Sequence, residues 1–277
     1  MELGRYGVFG RAVVLTPERA RLAESLGYGT VWEGGSPPAE LSHVEAILDA
    51  TSTIKVATGI VNVWRAEAVE VARSYHRIEA AHPGRFLLGV GVGHPEATAA
   101  YRSPYQTLAD YLDVLDAEGV PAGRLVLAAL GPRVLRLAGT RTAGAHPYLV
   151  TPEHSRLARE ILGAGKLLAP EQRVVLEADP DRARAAGRPS VRPYLRLSNY
   201  TANLQRLGFT EQDVAGEGSD RLIDALVVSG DDARIRQRFE AHHAAGADHV
   251  AVQVIAEPGG DLDAGLRRLA EILALPG

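Results

Sequence analysis

Apolar residues recur along this chain in two alternating modes. Short runs are apolar at nearly every position, and longer stretches return an apolar residue at every third or fourth position. The first mode marks strands buried on both faces, the second amphipathic helices. Strands are expected at Tyr6–Phe9, Thr30–Glu33, Ile54–Val63, from Phe86 onward, Leu125–Ala129, Gly144–Leu149, Gln172–Leu176 and His249–Ile255. Between them lie helical stretches at Pro17–Leu26, Leu41–Ala50, Ala66–Ala81, Leu108–Ala117, Pro132–Ala138, Pro152–Leu162, Ala233–Ala244 and Leu262–Leu273. Thr16 before Pro17 supplies an N-cap and a first-turn proline, and Gly27 a stop. The segment 179–228 is mostly helical, with breaks expected at Pro189, Gly208 and Gly216–Gly218.

Eight strands alternating with helices, joined by connections that suit right-handed crossovers, predict an α/β fold: a single-domain TIM (β/α)8 barrel over 1–277. The helical insertion 179–228, after strand seven, is long enough to lie across the mouth. A doubly wound open sheet is the competing topology. Closure is favoured because the first strand starts almost at residue 1 and a single helix follows the eighth.

Composition narrows the chemistry. The chain has 277 residues, a net charge of −4 and no concentrated basic block, which argues against nucleic acid or an anionic membrane as partner. It has no cysteine, so disulfides, thiolate metal sites and thiol nucleophiles are excluded. MELGRYGVFG has neither a charged n-region nor an apolar h-region, so a cytoplasmic protein is expected. His94, His146 and His154 lie on different elements without metal-ligand spacing, and no metal site is expected.

The run Phe86 to His94, FLLGVGVGH, is the most informative stretch. Gly89, Gly91 and Gly93 alternate with Val90 and Val92, leaving one face of the strand bare where it runs out. Such a strip admits another backbone or a flat ligand; glycines that relieve crowding inside a barrel would look the same. Ligands bind at the strand C-termini in parallel barrels, so the residues after each strand are the candidates. They include Glu33 after strand two, Thr58-Gly59-Ile60 in strand three, His94 after strand four, and His146-Pro147-Tyr148 after strand six. Gly131-Pro132-Arg133 opens a helix directly after strand five, where helix amides and a guanidinium could hold a phosphate.

The segments VWEGGSPP, VATGIVNVW, SYHRIEAAHPGRFLLGVGVGH, LVLAALGPRVLRLAG and AGAHPYLVTPEHS resemble the luciferase-like monooxygenase superfamily, and within it the short actinobacterial branch of coenzyme F420-dependent oxidoreductases. The resemblance implies hydride transfer between the deazaflavin F420 and a small organic substrate. An FMN-dependent monooxygenase and a catalytically silent flavin-binding barrel are the alternatives. It further implies that Thr58, Gly59 and Ile60 form a bulge, with a non-proline cis peptide, behind the cofactor ring. Gly91 and Gly93 would lie beside that ring, and Gly131, Pro132 and Arg133 at the phosphate. His94, His146 and Glu33 become candidate catalytic groups, His94 foremost as proton donor. Relatives often carry an acidic residue with histidine after strand two, whereas this chain has Glu33-Gly34-Gly35, so that donor does not transfer directly. In the insertion, Tyr194, Asn199, Tyr200 and Asn203 are the expected substrate wall. A homodimer acting on a small-molecule substrate is the expected assembly.

Overall fold

The computed structural model describes residues 1–93, 103–256 and 260–277. Its strands are β1 (Tyr6–Arg11), β2 (Thr30–Gly34), β3 (Lys55–Gly59), β4 (Val61–Asn62), β5 (Phe86–Gly91), β6 (Leu125–Leu127), β7 (Gly144–Ala145), β8 (Leu167–Leu168), β9 (Glu171–Val174), β10 (Val227–Val228) and β11 (Val250–Val254). All their pairings are parallel, in the order β10-β9-β11-β1-β2-β3-β5-β6-β7-β8, with β4 also on β5. β8 and β9 are two halves of one strand, parted by Ala169 and Pro170. The first half pairs with β7 and the second with β11, so the sheet returns on itself as a barrel. The inner face confirms closure: Phe9, Trp32, Ala57, Leu87, Val126, Ala169 and Ala251 form one buried cluster drawn from seven strands around the axis.

The helices are α1 (Pro17–Ser25), α2 (Ser42–Ala50), α3 (Ala68–Ala81), α4 (Pro104–Ala117), α5 (Pro132–Arg141), α6 (Pro152–Leu162), α7 (Pro180–Val191), α8 (Ser198–Arg206), α9 (Glu211–Val214), α10 (Asp220–Leu226), α11 (Asp232–Ala244) and α12 (Leu262–Ile272). Proline opens α1, α4, α5, α6 and α7, where its missing N–H costs nothing. The outer core lies between strands and helices, while α7 to α10 gather a second cluster around Val191, Leu204 and Leu222.

The break expected in strand three is borne out, and three other sequence expectations are corrected. The third strand does not run unbroken from Ile54 to Val63: β3 pairs Ala57 with Leu87, and β4 pairs Val61 with Val90, so three residues oppose two and the strand bulges. The Gly59–Ile60 peptide within that bulge is cis. Strand six ends at Ala145, because Leu149 takes a positive φ of 56° and its amide bonds the Glu171 carboxylate instead of a ladder. Strand seven starts at Leu167 and is interrupted by Pro170, which cannot donate to the ladder. Pro189 does not break α7, which continues two residues further to Val191 even though proline has no amide to bond the preceding turn.

Candidate active site

The glycines of β5 face the barrel axis, and what fills the space beside them is protein. A Cβ on Gly89 would stand 2.0 Å from the Thr58 carbonyl oxygen, and one on Gly91 would stand 2.9 Å from both Ile60 Cγ1 and Ala128 Cβ. The bulge in strand three thus swings Ile60 over the bare strip. Thr58 holds the break together: its buried hydroxyl donates to the Gly89 carbonyl and accepts from the Gly89 amide, both at 2.8 Å. Ile60, Val92, Gly93 and Ala128 remain partly exposed, so the result is an apolar floor spanning strands three to five at the mouth. Thr58 lies beneath that floor, and Gly59 is set against Phe9 and His146.

His146 stands lower in the barrel than its sequence position suggests. Its amide still bonds the Leu127 carbonyl, and the ring is stacked on Trp32 with centroids 4.1 Å apart, leaving it 1% exposed. Nδ1–H donates to the Ala169 carbonyl at 2.7 Å, since a carbonyl can only accept. Burial pushes the imidazole down to about 4, so at neutral pH Nε2 carries a lone pair; it has no partner and faces Gly59. Such a group can accept a proton there but has none to give. The expected meeting of His94 with His146 falls partly on His94, which lies outside the described residues.

Glu33 alternates with the inward Trp32, so its carboxyl faces the helix layer, 2% exposed and 3.3 Å from Nδ1 of His43 on α2. Burial raises its affinity for a proton and His43 opposes this. It is therefore placed behind the sheet and not over the mouth.

On the polar side of the mouth the expected Tyr148 and Tyr194 are joined by two residues that the sequence pattern did not single out. Glu171 and Arg173 point inward from β9 and are both 1% exposed. The Arg173 Nε donates to Glu171 at 3.2 Å and an Nη to the Tyr148 hydroxyl at 2.7 Å. Tyr194 donates to the same hydroxyl at 3.2 Å, and Tyr148 donates to Gln253 at 3.1 Å. Burial pushes the Tyr148 phenol well above its ordinary range, against the pull of Arg173, so it is a neutral donor. Tyr148, Tyr194 and Gln253 are partly exposed and face the mouth from strands six and eight and the insertion. A readable signal existed, because charges at alternate positions in EQR of a strand otherwise buried must pair inside.

Of the insertion residues, Tyr194 packs between Tyr148 and Tyr200 at ring distances of 5.3 and 5.1 Å, while Asn199 is partly buried at the start of α8. Asn203 is buried one turn further along, near the start of α5. At that start, Gly131 is the N-cap and no side chain caps the first turn. Arg133 is exposed and its guanidinium lies over the Tyr105 ring, 4.3 Å from the centroid. Among the described residues no group of histidines and carboxylates could hold a metal, and no helix is long and apolar enough to cross a membrane.

Residues 14–118 match the family model for luciferase-like monooxygenases, which bears out the resemblance over that segment. Solved structures share the fold across nearly the whole chain. An F420-dependent secondary alcohol dehydrogenase, in complex with an F420–acetone adduct, matches with a TM-score of 0.77 at 16% identity, covering 99% of both chains. The coenzyme F420-dependent tetrahydromethanopterin reductase of Methanopyrus kandleri matches at 0.70 and 16%, again over 99% of both. The oxygenating constituent of 3,6-diketocamphane monooxygenase from Pseudomonas putida, in complex with FMN, matches at 0.70 and 14% over 98% of both. The sequence matches no curated protein.

Proposed function

We propose that this luciferase-like barrel is an oxidoreductase that binds F420 across its mouth and exchanges a hydride with a small alcohol, carbonyl or activated alkene. The observation that carries this reading is the continuity of an apolar floor with an uncapped helix start. Ile60, Val92, Gly93 and Ala128 form the floor, and Gly131 follows Ala128 by three residues, roughly 10 Å of extended chain. A flat ring with a phosphate on a flexible linker fits those two features together. Ile60 and Ala128 would back the ring, and the amides after Gly131 would take the phosphate.

When bound, a deazaflavin supplies a hydride donor or acceptor. The chain supplies the rest. Across the mouth from the floor, Tyr148 presents a hydroxyl whose proton is shared with Gln253 and whose oxygen is held by Arg173 and Tyr194. Arg173 stabilises developing negative charge on that oxygen, so the phenol can pass a proton to a substrate oxygen or carbon. His94 is the second candidate for that proton. Tyr194 and Tyr200, with Asn199 and Asn203, close the substrate side.

Two of the fold relatives are F420-dependent and one of these is a secondary alcohol dehydrogenase, which supports the first reading. FMN with oxygen is the second, supported by the FMN-bound monooxygenase. Titrating the apoprotein with each cofactor and following reduction of bound F420 by a panel of secondary alcohols separates them. Tight F420 binding with turnover is expected. Retention of FMN alone would move the protein to the monooxygenase reading, and binding without any turnover to a silent flavin carrier.

A further inference from the structure

Phe9 stands where the axial core of the barrel ends and its mouth begins. Its ring is the upper member of a stack along the axis: the Trp32 and His146 rings lie 4.1 Å apart at 15°, and the His146 and Phe9 rings 5.8 Å apart at 26°. On its other side the Phe9 ring meets the partly exposed Tyr148 at 5.1 Å. Two neighbouring strands end in glycines that make room for it. A Cβ on Gly34, the last residue of β2, would stand 2.5 Å from Phe9 Cζ, and one on Gly59, the last residue of β3, 2.8 Å from Phe9 Cε2. The same Cβ position on Gly59 is 3.1 Å from His146 Nε2, a buried acceptor with no partner among the described residues. Phe9 is 7% exposed against 1% for His146, so its ring is what separates that nitrogen from the mouth.

Packing alone does not account for this arrangement. Two strand ends give up their side chains to one ring, and the ring shuts off an unpaired acceptor, which is unfavourable by itself. What the ring does fill is the space between the end of the floor at Gly59 and the Tyr148 phenol. A substrate whose oxygen reaches the Tyr148 hydroxyl therefore has Phe9 beneath it. We propose that Phe9 is the specificity-determining residue of the mouth, a depth limit that admits only a small alkyl group toward the barrel axis. An alcohol or ketone taken up here carries that small group inward and its bulk outward, toward Tyr194 and the insertion. The proposal rests on the oxidoreductase reading above for the reaction, but not for the place of the ring. Removing the ring would join to the mouth a hollow lined by Gly34, Gly59 and Tyr148, with His146 Nε2 as its hydrogen-bond acceptor.

The test compares Phe9→Ala and Phe9→Leu with the parent, circular dichroism verifying the fold of each. With F420 and two alcohols, isopropanol offers a small group inward whereas diphenylmethanol has none to offer. The ratio of kcat/KM for diphenylmethanol to that for isopropanol should rise by about tenfold or more in Phe9→Ala and by less in Phe9→Leu. Should Phe9→Ala not fold, the smaller rise in Phe9→Leu decides. A second measurement needs no turnover: thermal shift with toluene and phenol. Both should raise the Tm of Phe9→Ala and leave the parent unmoved, phenol the more, because its hydroxyl can donate to His146 Nε2. An unchanged ratio in variants that still bind F420 overturns the proposal and leaves the oxidoreductase reading standing. A changed ratio without any response to toluene or phenol also overturns it, since the effect would not come from the opened space. A parent that turns over no alcohol, ketone or activated alkene overturns the oxidoreductase reading; a phenol response confined to the variant then still supports Phe9 as the depth limit, and its absence overturns both.

Discussion

Lowering the pH from 7.5 to 5 should strip this protein of much of its stability, because its interior holds several histidines in the neutral form. Burial pushes His146 down to about 4 and His242 and His249 to about 3. The unfolded chain takes up protons near the ordinary histidine value of about 6.5, while the native state takes up none until far lower pH. The unfolded state therefore binds more protons through that window, and native stability falls as pH falls. For a folded value of about 4, the difference between pH 7.5 and pH 5 comes to about 2 kcal/mol, and the other two contribute about the same each. To the sum of about 6 kcal/mol His154 and His243, whose proton affinity burial also lowers, add in the same sense, while Glu33 and Glu171, whose proton affinity burial raises, act in the opposite one. Against the 5–15 kcal/mol typical of a domain, that is enough to bring acid unfolding near pH 5. Urea titrations at half-unit steps from pH 7.5 to 5 measure the slope. In His249→Gln the level will differ, because His249 accepts from the Trp32 indole and donates to the Gly4 carbonyl, but the slope should fall by about a third. A wild-type stability flat across this range, or a slope unchanged in the variant, refutes the reasoning.

Three further outcomes follow from the mouth and its supports. Gly89→Ala should destabilise by about 3 kcal/mol or more, read from the urea midpoint, because the new methyl would meet the Thr58 carbonyl at 2.0 Å and backbone cannot move aside cheaply. Thr58→Val, nearly the same shape, leaves the Gly89 amide and carbonyl without their bridge and should cost about 2–4 kcal/mol, with Thr58→Ser recovering most of it. Arg173→Met strands the buried Glu171 carboxylate and should cost about 3–5 kcal/mol at pH 7.5, a loss that shrinks on acidification as the carboxyl protonates. A pH-independent loss would mean that packing, and not charge, holds that residue.

The order of elements was legible because periodicity and punctuation agree almost everywhere: Thr16 does cap α1, accepting from the Arg19 amide, and Gly27 does follow its end. The strand-three break was legible through resemblance, since periodicity alone reads IKVATGIVNV as one strand. Two things were hidden. The first part of strand seven, Leu167 to Glu171, contains Pro170 and a charge and so falls outside the strand read at Gln172–Leu176, until one sees that Glu171 pairs with Arg173 inside the barrel. The depth of a side chain along the axis was also hidden. His146 and Tyr148 are two residues apart, yet the first is sealed under Phe9 and the second reaches the rim. Nor does nearness in sequence decide which arginine lies at a turn. Arg133, two positions from Gly131, turns to Tyr105, whereas an Arg206 Nη, from 75 positions away, lies 3.8 Å from where a Cβ of Gly131 would be.

The insertion keeps its own apolar cluster, apart from the layer between strands and helices, and Tyr148 packs on both this cluster and the axial one. Substitutions among Val191, Leu204 and Leu222 therefore act on a cluster that meets the barrel only at strand ends such as Val175 and Val227, and their effects should combine additively with changes in strands that do not touch it. Such a partition lets natural drift reshape what the mouth accepts while the scaffold that positions the chemistry stays constant. Tyr148 is the exception, a seam residue through which alterations in one half are felt in the other. Lineages diverging in substrate would be expected to vary freely above that seam and to change at it only in concert with Arg173.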